Sequence, residues 1–300
     1  MWRRLSKPHS TDPLEYPLLM SFRLLSIYQT RDLLAARDAG LAEIDISLDL
    51  GLSETRVHIN PEGALLPGGA LLPWPEIERI QAHAQALFRV TDEGGVEKVQ
   101  AFSEAFGRLY SLMPTAGAPT MLISGIPMHR IKSTDPLQDT RSKIRAASPK
   151  GRVLDTCTGL GYTAIEAARR ADEVVTIELD PAVIAICRQN PWSQALFEAP
   201  NITQLIGDSF DLIAAFEDAS FDRIIHDPPM FNLAGQLYSA DFYRELHRVL
   251  KRGGRVFHYI GDLRSKSGRN VARSAARRLQ EAGFRAVKRR PEAFGLLTFK

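Results

Sequence analysis

Apolar and polar positions fall into two textures along this chain. In the first texture, Leu24, Leu25, Tyr28, Leu33 and Leu34 recur at helical spacing, and the pattern predicts a helix over 26–39 that stops at Gly40. Residues 44–50 alternate apolar and polar, the period of a half-buried strand, and a turn at 51–54 leads to a second strand over 56–59. Gly and Pro then punctuate 61–75 heavily, a short helix follows over 75–84, and strand-rich sequence runs from Gly94 to Ile123. These elements predict a small α+β N-terminal domain over 26–126, preceded by a lead-in segment over 1–25.

After Lys150 the texture changes to short apolar runs alternating with helical segments. Strands are predicted at 153–154, 174–177, 202–206, 221–225 and 254–259, and helices at 162–170, 181–189, 210–216, 240–250 and 268–282. The end reads as a strand pair, 284–287 and 294–299. Regular βα alternation with apolar strands implies a parallel sheet covered on both faces. The division expected is therefore 26–126, an interdomain segment over 127–150, and a sheet domain over 151–300. No internal repeat is visible.

Composition narrows the classes. Two cysteines, Cys157 and Cys187, exclude a disulfide scaffold and a cysteine-rich zinc module. The seven histidines are scattered, so no metal site is expected, and no nucleophile elbow marks a serine hydrolase. No apolar window is long enough to predict a membrane span, and the basic start lacks a clean apolar run, so a cytoplasmic location is expected. The formal charge of +3 hides an asymmetry: residues 251–300 hold 14 Lys or Arg against 3 Asp or Glu, a balance of +11 that leaves −8 for residues 1–250. Much of the basic end reads as a solvated helix face, with a nucleic-acid partner as the weaker alternative.

The chemistry concentrates at strand ends. In Val153-Leu154-Asp155-Thr156-Cys157-Thr158-Gly159-Leu160-Gly161, a strand ends in an acid and a glycine-containing turn starts a helix. Ligands of open α/β sheets sit at such carboxyl ends. The three-glycine dinucleotide fingerprint is absent. Glu178 closes the second strand, where a carboxylate would hold a ribose diol. Asp208 follows the third strand and Asp227 the fourth. Any one of these acids alone reads equally well as a helix cap or turn residue, Asp208 most of all.

Four acids in this order resemble the class I S-adenosylmethionine-dependent methyltransferases over about 150–300. The resemblance implies a Rossmann-like, seven-stranded, mostly parallel sheet with an antiparallel last strand, and S-adenosylmethionine as cofactor. It places Asp155, Gly159 and Gly161 at the methionine part, Glu178 at the ribose hydroxyls and Asp208 at the adenine amine, with Thr156, Leu179 and Ser209 beside them. Cys157 departs from the family, which usually has a glycine there. Asp227-Pro228-Pro229-Met230-Phe231 resembles the Asp-Pro-Pro-aromatic motif of methyltransferases that act on amino groups, although the aromatic comes one position late. A carboxylate and a proline-adjacent carbonyl would hold an amine's N–H groups. Asp227, Pro228 and His129 are the catalytic candidates, with Arg130 and Asp135 from the segment before the sheet expected near the substrate.

As a whole the chain resembles a poorly characterised methyltransferase group related to spermidine synthases. The resemblance implies a small-molecule or amine-bearing acceptor and a homo-oligomer. The alternative it leaves open is aminopropyl transfer from decarboxylated S-adenosylmethionine.

Overall fold

The computed structural model describes residues 22–231 and 233–300. Residues 1–21 of the expected lead-in lie outside the described residues. The second half is built from α1 (Pro136–Ala147), β1 (Arg152–Asp155), α2 (Tyr162–Ala168), β2 (Glu173–Glu178), α3 (Pro181–Arg188), β3 (Ile202–Ile206), β4 (Phe221–His226), α4 (Ala240–Val249), β5 (Leu250–Tyr259), α5 (Lys266–Glu281), β6 (Arg285–Arg290) and β7 (Gly295–Phe299). The strands form one seven-stranded sheet in the order β3-β2-β1-β4-β5-β7-β6. The first five run parallel, and β7 enters antiparallel to β5 and β6. This is the Rossmann-like sheet expected, with its antiparallel last strand.

The physical reason is plain in the strands. Val153, Leu154, Val174, Val175, Ile177, Ile224 and Ile225 are all buried, because helices cover both faces. One core layer gathers Ile144, Tyr162, Ala164, Val183 and Ile186, and the opposite layer gathers Phe242, Leu246, Ala272, Ala275 and Leu279. The strand order reverses beside β1, so the carboxyl ends of β1, β2 and β4 lie at the switch point where ligands of such sheets bind.

Two expected boundaries shift. The segment 127–150 is not a connector: α1 packs on α2, β5 and β7, as a helix of the sheet domain. Asp135 caps it by accepting from Leu137 and Gln138 N–H, with Pro136 in its first turn. The region 26–126 also divides. Residues 22–98 carry a helix (Ile27–Asp38), a second helix (Trp74–Gln81) and two small sheets around a core of their own, with Leu25, Leu33, Val57, Leu72, Ile77 and Ile80. The sheet formed by Gln100–Ser103, Arg108–Met113, Thr120–Ile123 and Ile126–Pro127 instead contributes Tyr110, Leu112 and Met121 to the core of the sheet domain.

Candidate active site

The turn after β1 is bent by Gly159 at φ +53° and Gly161 at φ +78°, backbone conformations that a side chain strains. Gly159 N–H donates to Glu178 Oε2 at 2.9 Å and Asp180 N–H to Glu178 Oε1 at 3.1 Å. The acid at the end of β2 therefore stitches the β1 turn to its own. Burial pushes the Glu178 carboxyl up to about 7, against the pull of these N–H groups. Cys187 donates its S–H to Gly159 O at 3.1 Å, and the Met128 side chain lies over Gly159, so a Cβ there would collide with it.

Asp155 is fully buried. Thr176 and Thr163 hydroxyls donate to its Oδ2 at 2.9 and 3.2 Å, while Oδ1 is buried without a partner among the described residues. Burial pushes its carboxyl up to about 7, partly offset by the Thr176 hydroxyl and reinforced by the charge of Asp227. A buried acceptor without a partner is costly unless a ligand supplies the donor. Leu179, beside Glu178, stays 36% exposed at the strand end, an apolar ledge that a flat ring can cover. An orphaned acceptor, two positive-φ glycines, a second carboxylate and an apolar ledge fit S-adenosylmethionine. Asp155 Oδ1 would meet its methionine part, Glu178 its ribose hydroxyls and Leu179 its adenine.

A pH prediction follows from Asp155. Its pKa is raised on folding, so between about pH 4 and pH 7 the folded chain holds more protons than the unfolded one, and stability falls as pH rises through that window. Asp155→Asn removes this loss. Without ligand, the variant is expected to melt several degrees above the wild type at about pH 8 and to lose that lead near pH 4. A lead that is constant with pH, measured by calorimetry, rejects the assignment.

The acceptor side holds a feature that the sequence pattern hid. Lys143, on the inner face of α1, is only 3% exposed in its side chain, and its Nζ donates to Asp227 Oδ2 at 2.7 Å. The same Nζ lies 3.0 Å from Asp139 Oδ2, one helical turn back. Arg130 Nε donates to the other oxygen of Asp139, and the Arg130 guanidinium covers the ring of Phe294 with its centre 3.8 Å away. Lys143 also sits 4.4 Å from the ring centre of Tyr259. The result is a buried chain of alternating charge: Arg130, Asp139, Lys143, Asp227. Burial lowers the Lys143 pKa, but Asp227 and Asp139 outweigh it and hold the ammonium charged. Burial raises the Asp227 carboxyl, and Lys143 draws it part of the way back. Asp139 is held below its usual range despite its burial, by Lys143 and Arg130.

Asp227 is less enclosed, at 18% side-chain exposure, and its Oδ1 has no partner among the described residues. Pro228 behind it is buried. Pro229 O accepts from Tyr238 Oη at 3.1 Å, so that carbonyl is committed and fixes the turn. Met230 and Phe231 form an exposed apolar lip, with the Phe231 ring 5.4 Å from that of Tyr238.

The other expected site residues sort by what they touch. Glu178, Asp155 and Asp227 lie on adjacent strand ends as expected. Asp208 caps the short helix Ser209–Leu212 through Phe210 N–H, the plainer of its two readings. Thr156 and Ser209 spend their hydroxyls within the fold: both are buried, Thr156 Oγ1 bonds His226 Nδ1 at 2.7 Å, and Ser209 Oγ donates to Thr156 O. His129 is tied within the fold as well. Its Nδ1 bonds Thr120 Oγ1 at 3.0 Å, its ring stacks on Tyr162 at 5.2 Å, and burial with nearby Lys143 drives its pKa down to about 3. The packed imidazole supports Tyr162. Asp135 is spent on capping α1.

These features define an S-adenosylmethionine-dependent methyltransferase of class I, related in its sheet to the spermidine synthases. Residues 153–254 match the family described as Methyltransferase domain. The chain belongs to the family of the uncharacterized protein MJ1233 of Methanocaldococcus jannaschii, with which it is 42% identical over 86% of its own length and 90% of that protein's. It is also similar to polyamine aminopropyltransferase 2 of Streptomyces coelicolor, 28% identical over 62% of this chain, but spans only 34% of that protein's length. The spermidine synthase from Thermotoga maritima shares the fold, with a TM-score of 0.53, 20% identity, and coverage of 67% of this chain and 70% of that one.

Proposed function

We propose that the chain transfers a methyl group to a neutral amino nitrogen held at Asp227. The observation that carries this reading is the Lys143–Asp227 pair at 2.7 Å. When bound, S-adenosylmethionine supplies a methyl group on a positively charged sulfur. Asp227 Oδ1 then accepts one N–H of the acceptor and aims its lone pair, while Lys143 keeps the carboxylate ionised from behind. Pro228 contributes a rigid φ and no competing N–H. The rate gain rests on alignment of the two reacting atoms.

The charge balance of the site favours this reading over aminopropyl transfer. An aminopropyl donor lacks the carboxylate of S-adenosylmethionine and so carries one more net positive charge, and a polyamine acceptor brings several ammonium groups. The buried chain at this site holds two cations and two carboxylates, so it offers a polycation no net attraction, and its innermost cation sits against Asp227. The fold shared with a spermidine synthase and the similarity to an aminopropyltransferase favour the alternative. The two are separated by supplying S-adenosylmethionine and its decarboxylated form in turn with amine-bearing acceptors and weighing the products. A methyl gain is expected; an aminopropyl gain rejects the proposal.

A further inference from the structure

The basic end of the chain presents a set of exposed cations on neighbouring elements. Arg264, Arg269, Arg273, Arg285, Lys288 and Arg289 are exposed. Among the described residues, the one ion pair made by α5 and β6 is Arg277 with Glu281, at 3.5 Å. Helix α5 packs on β6 and β7, and β6 is the outer strand of the sheet, so these cations lie on elements packed against each other. Charged side chains on β6 have a plain purpose, since they discourage pairing at a sheet edge. That purpose does not extend to the outer face of α5, where Arg269 and Arg273 follow each other by one turn with no carboxylate to balance them.

Helix α5 is tied to the acceptor side of the site. Arg278 of α5 donates to Tyr238 O at 3.1 Å, and Tyr238 in turn holds Pro229 O and the Phe231 ring. The helix that carries exposed cations is thus tied, through Arg278 and Tyr238, to the segment bearing an exposed apolar lip, Met230 and Phe231, next to Asp227. Exposed cations on elements tied to an exposed aromatic ring suit a single nucleic-acid strand, whose phosphates take the charges and whose bases stack. An anionic membrane or an acidic protein uses the charges but leaves the ring beside Asp227 without a purpose.

We infer that α5 and β6 dock a single nucleic-acid strand and deliver one of its bases to the Met230–Phe231 lip. The docking stands on the exposed cations; delivery of a base as methyl acceptor rests on the reading of Asp227 given above.

Fluorescence anisotropy with labelled single strands of RNA and DNA and with a duplex, using the full chain, tests this. Single strands are expected to bind, with affinity falling steeply between about 50 and 200 mM salt. The RNA and DNA arms show which strand is preferred, and preference for either supports the inference. The triple variant Arg269→Glu, Arg273→Glu, Lys288→Glu is expected to bind at least about tenfold more weakly, with the log–log salt slope flatter by about 2. Phe231→Ala weakens binding without changing the slope. Charge reversal at Arg169 and Arg170, on the opposite face of the sheet, changes neither. Calorimetry with S-adenosylhomocysteine reports whether the triple variant keeps its cofactor site. Absence of strand binding, a triple variant that binds like the wild type, equal affinity for duplex and single strand, or binding through these cations to phosphatidylserine vesicles in place of nucleic acid each overturns the inference. Strand binding without methyl transfer would count against the reading of Asp227 and leave the docking intact.

Discussion

Lys143→Met is expected to lower kcat/KM by about 100-fold or more, while affinity for S-adenosylhomocysteine stays within about twofold. Methionine matches the length of the lysine stem but removes the ammonium, so Asp227 and Asp139 lose their shared cation. Asp139 keeps Arg130. Asp227 keeps nothing, and burial alone then raises its carboxyl further. The variant's Asp227 then takes up its proton at higher pH than the wild type's, and offers a donor where the acceptor amine needs an acceptor. The rise of activity with pH should therefore lie at higher pH in the variant than in the wild type. A merely structural lysine would not produce that shifted profile.

The same substitution carries a stability cost. Removing one partner of a buried ion pair typically costs about 3–5 kcal/mol, because the other charge stays buried. The double variant Lys143→Met, Asp227→Asn is expected to recover most of that cost and none of the activity, because an uncharged amide no longer needs the cation. Denaturant unfolding of the two single variants and the double variant measures this coupling. Additive effects, or a Lys143→Met enzyme with an unshifted pH profile, reject the role given to Lys143.

What the sequence made legible follows from which interactions are local. The βα alternation after Lys150 is a local signal, and every strand it predicts forms within a few residues of its place. Asp155, Glu178 and Asp227 were visible because a strand's carboxyl end is itself readable, and ligands of such sheets sit there. Helix α1 escaped notice because its buried face holds Asp139, Thr140 and Lys143 beside Ile144 and Ala147. A charged inner face erases the apolar periodicity that announces a helix. The Asp135-Pro136 start was the signal that could have found it, and a basic and an acidic residue four apart behind it could have suggested a buried pair.

Side-chain direction was the other hidden quantity. Thr156, Ser209 and His129 lie where a cofactor or substrate contact was expected along the chain, yet each turns its polar atom toward a partner within the fold. Together Ser209, Thr156 and His226 form a buried hydrogen-bonded chain beneath the strand ends, and His226 Nε2 continues it to Leu237 O at 2.9 Å. Such a network is tertiary by nature: its members come from four separate stretches of sequence. It also anchors the Asp227 turn at both ends, through His226 immediately before it and Tyr238 after it.

Glu178→Gln is expected to weaken S-adenosylhomocysteine by about 30- to 100-fold, roughly 2–3 kcal/mol, with little change in melting temperature of the ligand-free chain. In the wild type both carboxylate oxygens accept backbone N–H groups, from Gly159 and Asp180, and each retains a second lone pair for a ribose hydroxyl. Glutamine keeps one acceptor oxygen. Its NH2 group confronts one of the two N–H donors, so the turn after β1 loses a tie at the residue where Gly159 approaches the ligand. The melting temperature changes little because ligand-free Glu178 already bears the cost of burial that lifts its carboxyl to about 7, and glutamine removes that cost as it removes the bond. The pH dependence has a definite sign. Ribose hydroxyls donate to the ionised carboxylate, so wild-type affinity should rise as pH climbs through about 7 and level above it, whereas the glutamine variant should show no such rise from this group. Calorimetric titration at pH values on both sides of 7 distinguishes them. If both proteins bind equally at high pH, Glu178 holds the turn and leaves the ribose to other groups.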